Sequence, residues 1–242
     1  MSCVARLASR SNANARRKRP PATRACLSSR AIPRNRKSAS VSIVKLGGSL
    51  AHTSQFAAWL ETLAAWGGPL ILVPGGGAFA DCVRAAQGAM GFNDTAAHRM
   101  ALNAMGQFGI ALAAYSEAFT LAASRDELDR ALSVGEIPVW LPEKMVLGAS
   151  DVPECWEVTA DSLAAWLAWT YGARRLLLIK ASDLAASVSV RDLAADKIVD
   201  PLFPRFAAQS HAEVWLAGPA SLAGAASILQ RGGMPGTRVA LP

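Results

Sequence analysis

Two lysines, two glycine clusters and one carboxylate stand out as residues that could do chemistry. Lys45 lies near the end of the apolar run 41–46 and is followed by Gly47, Gly48 and Ser49. A second apolar run, 70–73, leads through Pro74 into Gly75, Gly76 and Gly77. A third, 175–179, ends at Lys180 with Asp183 close behind, and Thr159, Asp161 and Ser162 stand together just before the apolar series Leu163, Trp166 and Leu167. Glycines without Cβ let backbone amides approach an anion, and lysines add full positive charge. This is chemistry for a polyphosphate: a phosphoryl group in flight needs cations and N–H donors spread over its oxygens, with little covalent help.

Each feature also has a plain reading. Gly47-Gly48 can be a tight strand-to-helix turn, and one of Thr159, Asp161 and Ser162 is accounted for by a helix N-cap. Three polar groups in four positions exceed what one cap needs. No G-x-x-x-x-G-K-[ST] loop is present, nor a protein-kinase glycine loop with its catalytic loop. Gly75-x-Gly77-x-x-Ala80 loosely fits a dinucleotide fingerprint, and Asp94 lies at about the right distance to hold a ribose. The residues before Asp94 do not read as a strand, so this alternative is weak.

The elements that must hold these residues follow from periodicity. Strands are expected over 41–46, 70–73, 137–141, 175–179, 213–216 and 237–241, and helices over 54–64, 79–86, 96–115, 124–132, 159–171 and 221–229. Ser124-x-x-Glu127 reads as a capping box. Residues 142–158 read as a loop, and 184–208 as an irregular region. On the helix over 96–115, Met100, Ala104, Phe108, Ala111 and Tyr115 form a stripe expected to be core or subunit interface. All-apolar strands alternating with helices imply a three-layer α/β/α sandwich around a mainly parallel sheet. In such a sheet Lys45, Gly75 to Gly77 and Lys180 share one edge, at the C-terminal ends of the strands where ligands gather.

With 52% hydrophobic residues the chain can bury a large core. Its net charge of +7 is misleading: 11 of the 25 basic residues and none of the 18 acidic ones fall in residues 1–40, so residues 41–242 carry a net charge of −4. A nucleic-acid partner is therefore not expected. Residues 1–39 read as a disordered basic leader. Their Arg- and Ser-rich, acid-free composition resembles a transit peptide without its amphipathic helix; a basic tail is a second reading, and an upstream start codon the favoured one. No run approaches a membrane span, and the four scattered cysteines suit a reducing cytoplasm. His52, His98 and His211 are dispersed, which favours structural roles and no protein-held metal.

Lys45-Leu-Gly-Gly-Ser-Leu50, Val73-Pro-Gly-Gly-Gly77, Thr159-x-Asp161-Ser162 and the strand ending in Lys180 resemble, in order and spacing, the motif series of the amino acid kinase family. The resemblance spans residues 40–242. It implies ATP with Mg2+ as phosphoryl donor and a carboxylate or phosphate oxygen as acceptor. It further implies that Lys45 touches the transferring group and that Gly47, Gly48, Ser49, Thr159 and Asp183 border the nucleotide. Gly75, Gly76 and Gly77 line the acceptor side, and Asp161 positions the lysine. Gly232-Gly-Met234 lacks the late lysine of several relatives, so Lys180 is taken as the second cation.

Gly77-Ala-Phe-Ala-Asp81, Ala97-His-Arg-Met-Ala101 and Asp200-Pro201 resemble the small kinases of methanofuran biosynthesis, which implies a furan phosphate acceptor, with Arg84 or Arg99 on its phosphate and Glu157 or Asp94 near its amine. A uridylate-type kinase and a non-catalytic nucleotide-storage protein remain alternatives. The Met- and Ala-rich helix suggests a homodimer or larger homo-oligomer.

Overall fold

The computed structural model describes residues 40–183 and 189–241; the expected leader over 1–39 lies outside them. Seven strands form one sheet: β1 (Ser42–Leu46), β2 (Leu70–Pro74), β3 (Phe119–Ala122), β4 (Ile137–Trp140), β5 (Arg175–Ile179), β6 (Glu213–Ala217) and β7 (Thr237–Arg238). Their order is β3-β4-β2-β1-β5-β6-β7. Every pairing between named strands is parallel except β6 with β7, which is antiparallel.

The helices are α1 (Gln55–Ala64), α2 (Gly77–Met90), α3 (Asp94–Ala113), α4 (Arg125–Val134), α5 (Glu143–Val146), α6 (Ala160–Tyr171), α7 (Val190–Ala195), α8 (Phe203–Ser210) and α9 (Leu222–Gln230). Because successive strand residues point to opposite faces, the central strands feed two cores. Ile43, Ile71, Val73, Leu176 and Leu178 pack with Leu163 and Trp166 of α6 and Phe203 and Phe206 of α8. Val44, Leu72 and Leu177 pack on the other face with Trp59, Leu60 and Leu63 of α1 and Leu229 of α9. This is the three-layer α/β/α sandwich that alternation of apolar strands and helices implies.

Four local features depart from the sequence reading. Strand β3 was not expected: it has four residues at the sheet edge, two of them half-buried or exposed, too few for a period to show. A 3-10 turn, Gly48–His52, precedes α1, so the first glycine pair does not run straight into an α-helix. The segments 142–158 and 184–208 contain α5, α7 and most of α8. On α3 the buried residues include Ala97, Leu102, Met105, Phe108 and Leu112, whereas Met100 and Tyr115 of the expected stripe are 40% and 42% exposed. The helix packs on α2 as well as on β2, β3 and β4, and that wide contact rotates its buried face away from a single stripe.

Candidate active site

In register, Leu46 of β1 lies beside Pro74 of β2 and Ile179 of β5. The loops after these three strands therefore emerge at one edge. There Lys45, Asp161 and Lys180 meet. Lys180 Nζ donates to Asp161 Oδ2 at 2.6 Å and to the Ile198 carbonyl at 2.7 Å. Lys45 Nζ lies 2.9 Å from Asp161 Oδ1, in ionic contact. One carboxylate thus bridges two ammonium groups, all three largely buried.

The start of α6 explains how Asp161 is aimed. Thr159 is the N-cap residue, yet neither its side chain nor that of Asp161 caps the helix. Asp200, from the loop before α8, does so instead. Its Oδ2 accepts from the Thr159 amide at 2.9 Å, the Thr159 hydroxyl at 2.8 Å and the Ser162 amide at 3.0 Å, and its Oδ1 accepts from the Ser162 hydroxyl. Capping from outside leaves Asp161 free to face the lysines. Sequence reasoning gave Asp200 no role. The available signal was Asp200-Pro201, a pair that fixes an acceptor in a rigid turn.

Burial would push the Asp161 carboxyl up, but Lys45 and Lys180 outweigh it and hold the group below the usual carboxylate range. Burial, aided by the Lys45 charge, lowers Lys180 to about 8 against the pull of Asp161. Asp200 is shifted up by burial and by the Asp161 charge, in spite of its hydroxyl and amide donors.

The two glycine loops pack directly on one another. A Cβ on Gly48 would stand 2.2 Å from the Gly77 amide nitrogen, and one on Gly75 2.4 Å from the Gly48 amide nitrogen. Gly77 adopts φ +52°, a left-handed conformation that favours glycine. The Gly47 amide is spent on the Ile179 carbonyl and the Gly75 amide on the Leu46 carbonyl. Those of Gly48, Ser49, Gly76 and Gly77 have no acceptor among the described residues. The last two open α2, where helix geometry leaves amides unpaired and the field favours an anion.

Beside these loops is a cavity of about 400 Å3. Lys45, Gly48, Ser49 and Gly75 to Gly77 line it, with Thr159 at the start of α6. Leu102, Met105 and Leu163 form its apolar wall. Arg84 also reaches it, held at 3.0 Å by Asp81 and stacked over the Trp156 ring at 4.5 Å; the Trp156 indole in turn donates to Gln87 at 2.6 Å. These contacts tie the loop before α6 to α2.

The cavity does not gather every residue singled out in the sequence. Gly47, Asp161 and Lys180 do not line it. Arg99 faces Glu143 at 3.7 Å, and Asp94 accepts from Gln87 at 2.9 Å, and neither lines the cavity, nor does Glu157. Asp183 is exposed and accepts from the Ala220 amide at 2.8 Å, so one of its oxygens holds the turn before α9. Two histidines expected to be structural do border the cavity, His52 and the buried His98. Among the described residues no cluster of three or more His, Cys, Asp or Glu could hold a metal ion. The lysines and unpaired amides are groups whose charge and N–H donors suit the oxygens of a polyphosphate.

The model of the amino acid kinase family matches residues 40–184. The chain belongs to that family. It is a kinase, and the dehydrogenase-like alternative raised by Gly75-x-Gly77 falls away. A similar relative is the [5-(aminomethyl)furan-3-yl]methyl phosphate kinase of Methanocaldococcus jannaschii, 26% identical over 178 residues, or 67% of this chain and 80% of that relative. Among solved structures, the uridylate kinase of Archaeoglobus fulgidus aligns with a TM-score of 0.62 at 16% identity, covering 84% of this chain and all of that one. The UMP kinase of Bacillus anthracis gives 0.59 at 13% identity, covering 83% and 95%. At such identities these two speak for the fold alone.

Proposed function

We propose that this kinase moves the γ-phosphoryl group of ATP to a phosphate oxygen of a small acceptor, [5-(aminomethyl)furan-3-yl]methyl phosphate, giving ADP and the corresponding diphosphate. The observation that carries the reaction type is the Lys45–Asp161–Lys180 bridge beside two glycine loops. Asp161 is held as an anion by two ammonium groups and is a poor proton acceptor. The site therefore suits an acceptor oxygen already ionised near pH 7, as a phosphate monoester is. The acceptor oxygen forms the new P–O bond as the bond to ADP breaks, so no proton need be removed from it.

In this reading Lys45 lies against the transferring oxygens, and the free amides of Gly48, Ser49, Gly76 and Gly77 share their charge. Lys180, set by Asp161 and the Ile198 carbonyl, adds positive potential behind them. Gly47, Thr159 and Asp183 shape the nucleotide flank through backbone and capping contacts, while Arg84 borders the acceptor; Arg99 serves it only if its pairing with Glu143 opens. Mg2+ bound with ATP would supply further positive charge to the phosphate oxygens that Lys45 and the free amides face. The furan phosphate is favoured because the sequence relative acting on it aligns across most of both chains.

A second reading, UMP as acceptor, draws on the fold shared with uridylate kinases. It would present its phosphate to the same charges. The two separate in one experiment: ADP release from Mg-ATP by the full-length protein, offered the furan phosphate, UMP, aspartate and acetylglutamate in parallel, with Asp161→Ala as blank. Turnover confined to the furan phosphate supports the first reading, and turnover confined to UMP replaces it. We further place the domain over 40–242 and expect a cytoplasmic homo-oligomer. No described helix is long and apolar enough to cross a membrane.

A further inference from the structure

His98 has no task in the arrangement described so far, yet it is 6% exposed and lines the same cavity as Lys45. It comes from α3, and its neighbours are Glu154 and Cys155 in the loop that leads to α6, a different part of the wall from the strand that carries Lys45. Among the described residues the ring makes no side-chain hydrogen bond of standard geometry. The Cys155 carbonyl faces it, and the Glu154 carboxylate lies near enough to be felt. Burial outweighs both and moves the imidazole below its ordinary range, so the ring is neutral at pH 7. A neutral imidazole that turns its N–H toward a carbonyl presents the lone pair of its other nitrogen. Inside a cavity, such a lone pair asks for a donor, and the nearby Glu154 charge favours one that is positive.

We propose that His98 is a specificity-determining residue that accepts a hydrogen bond from a primary ammonium group of the acceptor, selecting an amine-bearing phosphate over the same phosphate without the amine. This rests on the furan phosphate reading above, and it moves the amine contact from Glu157 and Asp94, which do not line the cavity, to a residue that does. A phosphate at Lys45 and an ammonium at His98 would fix both ends of one small molecule. A site built to receive a donor leaves its own acceptor unpaired when the donor is missing, so discrimination arises against the analogue rather than only for the substrate.

The test compares kcat/KM of the full-length protein for the aminomethyl furan phosphate with that for its 5-methyl counterpart. The wild type is expected to prefer the amine by about tenfold or more. His98→Leu should bring that ratio toward one, and His98→Gln, which keeps an acceptor oxygen, should restore part of it; melting curves check that each variant folds. Equal use of the two compounds by the wild type overturns the assignment without any variant, and so does a His98→Leu protein that keeps the wild-type ratio. Turnover of neither, with ADP released on UMP, removes the acceptor reading itself and this inference with it.

Discussion

Asp200 controls the two lysines without touching either. By taking four donors at the start of α6 it points Asp161 at Lys45 and Lys180. Asparagine in its place would set an NH2 group against amide and hydroxyl donors. Asp200→Asn should cost about 1–3 kcal/mol of stability, read by denaturant unfolding, and lower kcat more than it raises KM. Lys180 gives a second prediction at this scale. With its ammonium lowered to about 8, positive charge at the site is lost as pH rises through 8, so kcat/KM should fall there. The contribution to stability runs the other way. Between about 8 and the usual lysine value near 10.5 the unfolded chain binds the extra proton, so this residue's contribution rises with pH across that window. Activity and melting profiles from pH 7 to 10 should therefore diverge. Lys180→Arg, which keeps its proton, should flatten both trends.

At the scale of elements, what glycine does depends on where it stands. Gly48→Ala would drive a Cβ to 2.2 Å from the Gly77 amide nitrogen and 2.4 Å from the Gly77 Cα, both backbone atoms, so the two loops must part. The expected result is a lowered melting temperature together with near-complete loss of turnover. Gly88, inside α2, has nothing within 4 Å of an added Cβ, and Gly88→Ala should stabilise by about 0.5–1 kcal/mol with turnover retained. The sequence marks Gly48 as a loop glycine but not its clash-limiting contact with Gly77, since contact between separate loops leaves no local mark. The legible elements were those with their own signal. The apolar runs of β1, β2 and β5 were clear, as was Ser124, which caps α4 even though Glu127 reaches the Ala123 amide rather than closing the box on Ser124. Strand β3 and helix α5 were hidden by their brevity, and His98, although it stands in Ala97-His-Arg-Met-Ala101, by the dispersal of the three histidines along the chain.

For the whole molecule, sheet order places β1 between β2 and β5, so the site is assembled from segments distant in sequence. Lys45, Gly75 to Gly77 and Lys180 were legible as one group because parallel sheets present their strand ends together, and Thr159 and Asp161 joined them through the family resemblance. The contribution of Asp200 was not, because it lies between α7 and α8 rather than at the end of a strand. The described residues that build the cavity and the lysine bridge all lie beyond residue 40, and the basic excess lies before it. Removing residues 1–39 should therefore leave kcat and KM unchanged while abolishing any retention on a cation-exchange resin that the full chain shows. The sheet order also sets a clock on biosynthesis. β1 can pair with β2 early, but its other neighbour, β5, begins only at Arg175. At about 5–20 residues per second, a ribosome takes on the order of ten seconds to travel from one strand to the other. Lys45 lacks its counter-ion until Asp161 is made, and one edge of β1 stands open until β5 follows, which makes the half-made chain a client for whatever guards nascent strands.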